Sequence, residues 1–464
     1  MVALKSELIR LRAERENVLA KLAAVVYPVL TLPHEITSEV FLRYLDDEPT
    51  CNPLVLSSVC SLWRKVALST PRLWTHLHPR HDWTHVADFL RLWLPRAGAL
   101  PVDIRLLLPD TSSSGRAACE EIFRILGEHS TQLRVLDLFN YSGGINIPVE
   151  WPGPLSSLTK ISLSTIHDEI SIPSLLDAPQ LKEASFSRSS FATVIWPSYL
   201  PWNQLTTLRF FHVGIPECLQ ILEHTPNLEL LEFGYNAELE FGFTAPPLLL
   251  RHLHTLILRE NLGDRIMPFL NPPALRKLRL ESAIGYCGHN VKLFVERSLC
   301  ALTDLYLLVE DMDDLAAFAE CLPASPSVRS LEINCRNING RETMQDMLRL
   351  MSKTSSLLPA LSSLAISECR TTVQLSWLVD MLAGRMGSQE SAQLESFRMS
   401  FIERDHTICC EDPNGVGEHR RFSHLLTQLG DMRSKGLKLD IHSTADWFSF
   451  EINTKMIEEI CGQL

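Results

Sequence analysis

The side chains best suited to metal binding or acid–base chemistry gather at two places in the sequence. His78, His81 and His85 form the first group, in which His81 and His85 would share one face of a helix because they are four residues apart. The second group consists of Glu403, Asp405, His406, Cys409, Cys410, Glu411 and Asp412. Neither group has the paired spacing of a zinc site, and the second lies in a segment with Gly, Asn and Pro that is typical of a polar loop. We therefore predict neither a metal site nor another cofactor.

The short patterns that mark many enzymes are not found in this sequence. It contains no P-loop, no dinucleotide-binding glycine signature, no H-E-x-x-H and no G-x-S-x-G. We predict a chain that has no catalytic residues and carries out no reaction itself.

Cysteine usage and net charge restrict the cellular setting. Twelve cysteines are scattered without any C-x-x-C pair, which is typical of buried free thiols in a reducing compartment, so we expect a cytoplasmic or nuclear protein. The net charge of −12 argues against nucleic-acid binding, which needs a basic surface. The longest apolar run, from Leu22 to Leu32, is too short to cross a membrane and contains Pro28.

The first 28 residues are predicted to form an amphipathic helix with a heptad seam. Alternating steps of four and three residues connect Leu4, Leu8, Leu11, Arg15, Val18 and Leu22. Two interpretations are open: the helix pairs weakly with a second copy as a coiled coil, or it packs as a single helix on its own protein.

Residues 29–78 are predicted to form a compact three-helix module. Pro33 suits the first turn of a helix, and Glu35 meets the positive end of the helix dipole. A second helix would follow the break after Asp47, and Thr70 with Pro71 would begin a short third one. The module is too small to hide all its apolar side chains, and an exposed apolar surface of this kind usually binds a partner.

The order of residues in this module resembles the F-box. The matching positions are Leu32-Pro33, Glu35-Ile36, Phe41, Leu45, Val59-Cys60, Trp63, Ala67 and Leu73-Trp74. The segment from the N-terminal helix through this opening also resembles an F-box family that is expanded in mushroom-forming fungi. The resemblance implies a non-catalytic substrate-recognition subunit of an SCF-type cullin–RING ubiquitin ligase, which docks on a Skp-type adaptor and reaches the cullin through it. The docking residues would be Leu32, Pro33, Ile36, Val59, Cys60 and Trp63. The alternative is a structural interaction scaffold without a ligase role.

A long repeat follows a linker helix over residues 79–99. From residue 133 the pattern Leu-x-x-apolar-x-apolar returns at intervals of 22–33 residues, and five of the eleven units have Pro two residues before the leading position. Leucine-rich repeats have this period and pattern, with one short strand and a return segment in each unit. We predict an α/β repeat fold, a leucine-rich-repeat solenoid with a curved parallel sheet over residues 100–445, closed by a cap helix over residues 446–464.

The outward positions of the predicted strands offer a second binding surface. Cations and aromatic side chains meet near its middle at Arg209, Phe211, Arg259, Lys277, Arg279 and Tyr306. One interpretation is a solvated strand face. The other is a site for an acidic or phosphorylated segment of a protein target, because Arg suits paired anionic oxygens.

Overall fold

The structure, a computed structural model, describes most of the predicted elements. The described residues are 2–24, 31–47, 52–78, 85–109, 112–140, 153–165, 178–187, 200–234, 244–259, 263–283, 288–309, 317, 325–336, 338, 341–353, 358–370, 373–386, 392–402, 408–409 and 418–443. The predicted cap helix over residues 446–464 lies outside them. Contacts between Cα atoms divide the chain into two units, Met1–Ile161 with Ser171–Gln180, and Ser162–Ile170 with Leu181–Leu464. The domain boundaries given above stay predictions.

The first unit begins with helices whose ends follow the capping signals of the sequence. Helix α1 spans Val2–Ala24, α2 spans His34–Asp47, α3 spans Pro53–Val59 and α4 spans Ser61–Leu68, and a 3-10 helix covers Pro71–Trp74. Pro33 precedes α2, and its carbonyl accepts a hydrogen bond from the Thr37 amide at 3.0 Å. Asn52 caps α3 because its Oδ1 accepts the amide of Leu54 at 2.7 Å.

The predicted second helix of the module is in fact two helices, so the three-helix prediction is wrong at this point. Cys60 has an extended backbone with φ −156° and ψ 171°, which ends α3. Its Sγ atom then accepts the amide of Trp63 at 3.4 Å and caps α4. Arg64 Nε donates to the Ser57 carbonyl at 2.9 Å and satisfies the end of α3. Helical spacing alone did not reveal the break, because the apolar residues on both sides of Cys60 continue at helical intervals.

The four helical segments around residues 34–74 enclose a small apolar core. Phe41, Val66, Leu73 and Trp74 are each at most 2% exposed. The Trp74 indole donates to the Ala67 carbonyl at 2.8 Å, so its polar edge is satisfied inside this core.

The module continues directly into a sheet of the first unit. Strand β1 (His76–Leu77) pairs in parallel with β2 (Val102–Leu107), which pairs in parallel with β3 (Leu133–Asn140). Helix α5 (Val86–Ala97) and helix α6 (Ser113–Glu128) connect these strands. Strand β2 lies at the start of the range predicted for the repeat, and β1 is an additional strand that the sequence pattern did not indicate.

Parallel strands recur through the second unit, and their pairing keeps an unshifted register apart from irregularities after Leu280 and after Ile366. Their bounds are β4 Lys160–Thr165 (which straddles the unit boundary), β5 Glu183–Ser187, β6 Thr207–Phe211, β7 Leu230–Gly234, β8 Leu248–Leu249, β9 Thr255–Arg259, β10 Leu270–Asn271, β11 Lys277–Ala283, β12 Asp304–Leu308, β13 Ser330–Asn334, β14 Ser363–Cys369, β15 Val373–Gln374, β16 Ser396–Phe401, β17 Ile408–Cys409 and β18 Lys438–Ser443. Adjacent strands place equivalent apolar residues side by side, as Leu256, Leu278 and Leu305 show. These side chains are buried, and the residues between them face outward.

Helices occupy several return segments of the second unit. They are α7 Ile215–Leu222, α8 Gly288–Ser298, α9 Arg341–Lys353, α10 Leu375–Met386 and α11 Glu418–Ser434, with a 3-10 helix at Gly263–Phe269. The fold is thus a set of N-terminal helices followed by parallel strands with helices in the style of an α/β solenoid. This confirms the coarse prediction, and the assignment to leucine-rich repeats stays a prediction.

Candidate docking surfaces

An apolar stripe begins just before helix α2, at Leu32, and continues along the side of the helix that faces away from the core. Residues four apart form the stripe, and they are exposed to 39% at Leu32, 51% at Ile36, 52% at Val40 and 40% at Tyr44. The opposite side of the helix holds Phe41, which is 1% exposed. One helix therefore presents apolar residues to both the core and the solvent, an arrangement that a monomeric module does not need.

Helices α3 and α4 extend the exposed apolar surface of the module. Their exposed members are Leu54, Val55, Val59, Leu62 and Leu68. Together with the stripe on α2 they make up nine of the sixteen large hydrophobic side chains exposed in the described part of the chain. Such a concentration in one small module is typical of surfaces that bind another protein.

The six predicted adaptor-binding residues divide into two kinds. Leu32, Pro33, Ile36 and Val59 are exposed and available for contact. Cys60 and Trp63 are half-buried and serve the fold: Cys60 caps α4, and the Trp63 ring contacts Phe41 edge-to-face at 4.9 Å. The Trp63 Nε1 atom is buried and has no hydrogen-bond partner among the described residues. Exposed residues that the prediction missed are Val40, Tyr44 and Val55, although their helical spacing was visible.

Contacts between elements hold the docking helices in place. His34 at the start of α2 shares a 2.8 Å hydrogen bond with Ser69 at the end of α4. The Trp93 indole of α5 donates to the Trp74 carbonyl at 2.7 Å, and their rings lie edge-to-face at 4.8 Å. The apolar stripe is thereby fixed relative to the first strands.

A carboxylate at the start of the sheet strengthens this junction. Asp103 on β2 accepts two hydrogen bonds from Arg134, at 2.7 and 2.9 Å, and lies 3.4 Å from the His76 ring. Its burial alone would raise its pKa, but the hydrogen bonds from His76 and Arg134 outweigh that effect and lower the pKa to about 2. The ion pair therefore ties β1, β2 and β3 together at neutral pH.

A cavity of about 540 Å³ lies beside this junction, lined among others by Leu45, Arg72, His76, His78 and Trp93. Burial, followed by the nearby cations His76 and Arg105, lowers the pKa of His78. None of the six residues predicted for docking lines this cavity. The candidate docking surface is therefore separate from this cavity.

A ladder-like row of alternating charges lies on the outward face of the adjacent strands β5, β6, β7, β9, β11 and β12, whereas β8 and β10 form a separate two-stranded sheet. Arg209 lies 3.2 Å from both Glu183 and Glu232. Arg259 pairs with Glu232 on one side and with Glu281 at 2.7 Å on the other. We call this row the Arg–Glu ladder.

The ladder ends in a stacked aromatic ring. Arg279 lies 2.5 Å from Glu281, and its guanidinium lies over the Tyr306 ring at 3.7 Å from the ring centre. Burial of the phenol raises the pKa of Tyr306. Four of the six predicted target-binding residues are thus joined in one network.

The network differs from the predicted surface in its charge. Each of the three arginines is paired with at least one glutamate, so the face is not an uncompensated basic patch. Phe211 is half-buried and Lys277 exposed on the same strands. The signal that could have revealed the ladder was available, because the paired residues Arg209 and Glu232 stand at equivalent positions of neighbouring repeats.

No group of three potential metal ligands occurs in the described residues. His81 of the first histidine group lies outside them, while His78 and His85 are exposed. Of the second group only Cys409 is described. Among the helices that the structure describes, none has the length and apolar character needed to cross a membrane.

Comparison with known proteins agrees with the structure of the first unit. Residues 29–80 match the family model described as F-box-like. The chain therefore contains an F-box-like domain at the position of the exposed apolar stripe. No curated protein matches the chain.

Proposed function

We propose that this protein is the substrate-recognition subunit of an SCF-type cullin–RING ubiquitin ligase. The observation that carries the proposal is the apolar stripe of α2, which is exposed on a domain of the F-box-like family. Docking of this stripe on a Skp-type adaptor would bury it, and the adaptor would connect the chain to the cullin. The chain would position a target for ubiquitin transfer and carry out no chemistry itself.

The second unit is proposed to be a leucine-rich-repeat solenoid that binds the target. Support for this assignment comes from strands that recur every 22–33 residues, from their parallel pairing in a largely unshifted register, and from helices in several return segments. The contact residues would be Arg209, Phe211, Arg259, Lys277, Arg279 and Tyr306. Glutamates share this face with the arginines. A target segment that binds here would therefore carry both positive and negative side chains, or a stronger anion such as a phosphate that displaces a glutamate from its arginine.

Two further expectations belong to the proposal. The free cysteines, of which Cys218, Cys335 and Cys369 are buried, support a reducing location in the cytoplasm or nucleus. The resemblance of the N-terminal region to the F-box family of mushroom-forming fungi supports the same ligase role.

Co-purification with a Skp-type adaptor tests the docking step. The wild-type chain should bind the adaptor, and Leu32→Asp with Ile36→Asp should abolish binding because docking would bury two charges. Leu92→Asp is the matched control, since Leu92 is 58% exposed on α5 outside the F-box-like match. A wild-type chain that does not bind, or a double variant that binds as well as the control, would favour the scaffold alternative.

Proximity labelling tests the target face. The set of labelled proteins should lose at least one member when Lys277→Glu and Arg279→Glu are combined. Lys65→Glu with Arg72→Glu changes the charge equally on exposed residues of the first unit and should leave target labelling intact. An identical set for wild type and the first pair would refute the assignment of this face.

A further inference from the structure

Helix α1 has no buried face along its middle. Every side chain from Arg10 to Lys21 is exposed, including Leu11 at 51%, Val18 at 50% and Leu19 at 50%. The interpretation in which this helix packs on its own chain is therefore not supported for these residues. A helix of 23 residues with exposed aliphatic side chains gains stability when another surface covers them.

We infer that the occupant of this face is α1 of a second copy, in a parallel two-stranded coiled coil. The heptad seam places Leu11 and Val18 at the position called d and Arg15 at the position called a, so both exposed aliphatics lie on the contact line. Leu19 adjoins Val18 at the flanking e position and widens the apolar strip.

Charge complementarity selects the parallel arrangement. In a parallel pair, each g residue faces the e residue of the next heptad on the other helix. Glu7 at g then faces Arg12 of the second copy, and the two-fold axis repeats the attraction. Glu7 is exposed and pairs at 2.7 Å with Arg10, at the outer c position of its own helix, so the contact with Arg12 of the second copy would replace or share this pair.

Arg15 favours two strands over three. A polar residue at a single a position selects register and oligomeric state at a cost in stability. In the parallel pair the Arg15 side chain lies beside Glu14 of the second copy, at the neighbouring g position, which compensates its charge. An antiparallel pair that sets Glu14 against Glu14 and Arg12 against Arg12 adds two repulsions, which offset the attraction between Glu7 and Lys21 in the same register, whereas the parallel pair has no such repulsion.

The coil spans about three heptads, which is near the shortest length that pairs stably. We therefore expect a reversible dimer. A dimer would present two F-box-like domains and two target faces, and it would raise the local concentration of one chain's partners near the other. This inference does not rest on the ligase role.

Sedimentation velocity of the full chain, without any adaptor, tests the proposal. At about 100 μM the mass should approach twice the 52.5 kDa of one chain and fall on dilution. Leu11→Asp with Val18→Asp should weaken the dimer by more than about tenfold, because each change places a carboxylate in the seam. Ala13→Asp with Ala20→Asp introduces the same charges on the outer face and should leave the dimer intact.

An exchange of charges tests the parallel register. Glu7→Arg alone should weaken the dimer, and addition of Arg12→Glu should restore it. The proposal is overturned by a monomeric wild-type chain, by a dimer that the seam variants leave unchanged, or by equal losses from seam and outer variants. A dimer that shows no rescue in the charge exchange overturns the parallel arrangement. Far-UV circular dichroism of each variant verifies that the remaining fold is retained.

Discussion

Truncation of the α2 stripe should separate adaptor binding from folding. Ile36 and Val40 leave 51% and 52% of their surface exposed in the free chain. Complete burial of such a side chain is worth about 1.5–3 kcal/mol, so covering the remaining half contributes about 1 kcal/mol per residue. Ile36→Ala with Val40→Ala should therefore weaken adaptor binding by about 2 kcal/mol, which is about thirtyfold in Kd.

Isothermal titration calorimetry with a purified Skp-type adaptor measures this change. The same variant should lose only about 1–2 kcal/mol of unfolding free energy, because each side chain is half buried by its own chain and Ala favours the helix slightly more than Ile or Val. Phe41→Ala provides the contrast, since the loss of this buried ring costs about 3–5 kcal/mol of folding stability. Leu92→Ala, an equally exposed aliphatic on α5, should not change Kd. A Kd within twofold of wild type for the double variant would refute the assignment of the stripe as the docking surface.

Three other substitutions probe the remaining contacts. Asp103→Asn should lower the free energy of unfolding by about 2 kcal/mol at pH 7. This difference should be present above about pH 4 and should vanish towards pH 2, because the pKa of Asp103 in the folded chain is about 2. Urea denaturation at several pH values measures the difference, and a difference that does not change with pH would contradict the prediction. Glu232→Gln should destabilise the second unit by about 2 kcal/mol in chemical denaturation, because the Glu232 carboxylate is 8% exposed and lies between two arginines. Glu229 is exposed, so Glu229→Gln should have no effect. Cys60→Ala should cost about 1 kcal/mol of thermal stability through loss of the helix cap, and Cys60→Ser should not; equal losses would argue against capping.

The periodic parts of the fold were predictable from the sequence. A strand lies at each of the eleven positions marked by the repeated pattern, from β3 to β16, because burial of alternate aliphatic residues leaves a strong signal. Short elements were less predictable. Strand β1 has two residues, and its pairing with β2 depends on a neighbour that is about 27 positions further along the chain. No local pattern encodes such a contact.

The docking surfaces were predictable in composition and less so in the role of each residue. Residue order in the module indicates a partner surface, but spacing cannot separate Ile36, which faces solvent, from Phe41, which is buried one helical face away. Trp63 contacts Phe41, so its part in the recognisable pattern reflects the fold of the module as well as docking. On the strand face, the cations were visible in the sequence. Their pairing with Glu232 and Glu281 became evident only from the register of adjacent strands.

The direct passage from the Trp74 helix into β1 limits how the F-box-like domain can be exchanged between proteins. A cut at residue 80, where the family match ends, would separate Trp74 from the Trp93 indole and leave β1 without β2. A fragment or chimera that keeps the domain intact should therefore extend to residue 140, through α5 and β3. The domain and the first strands are therefore expected to move together as one structural unit, and a different repeat region would be joined after β3.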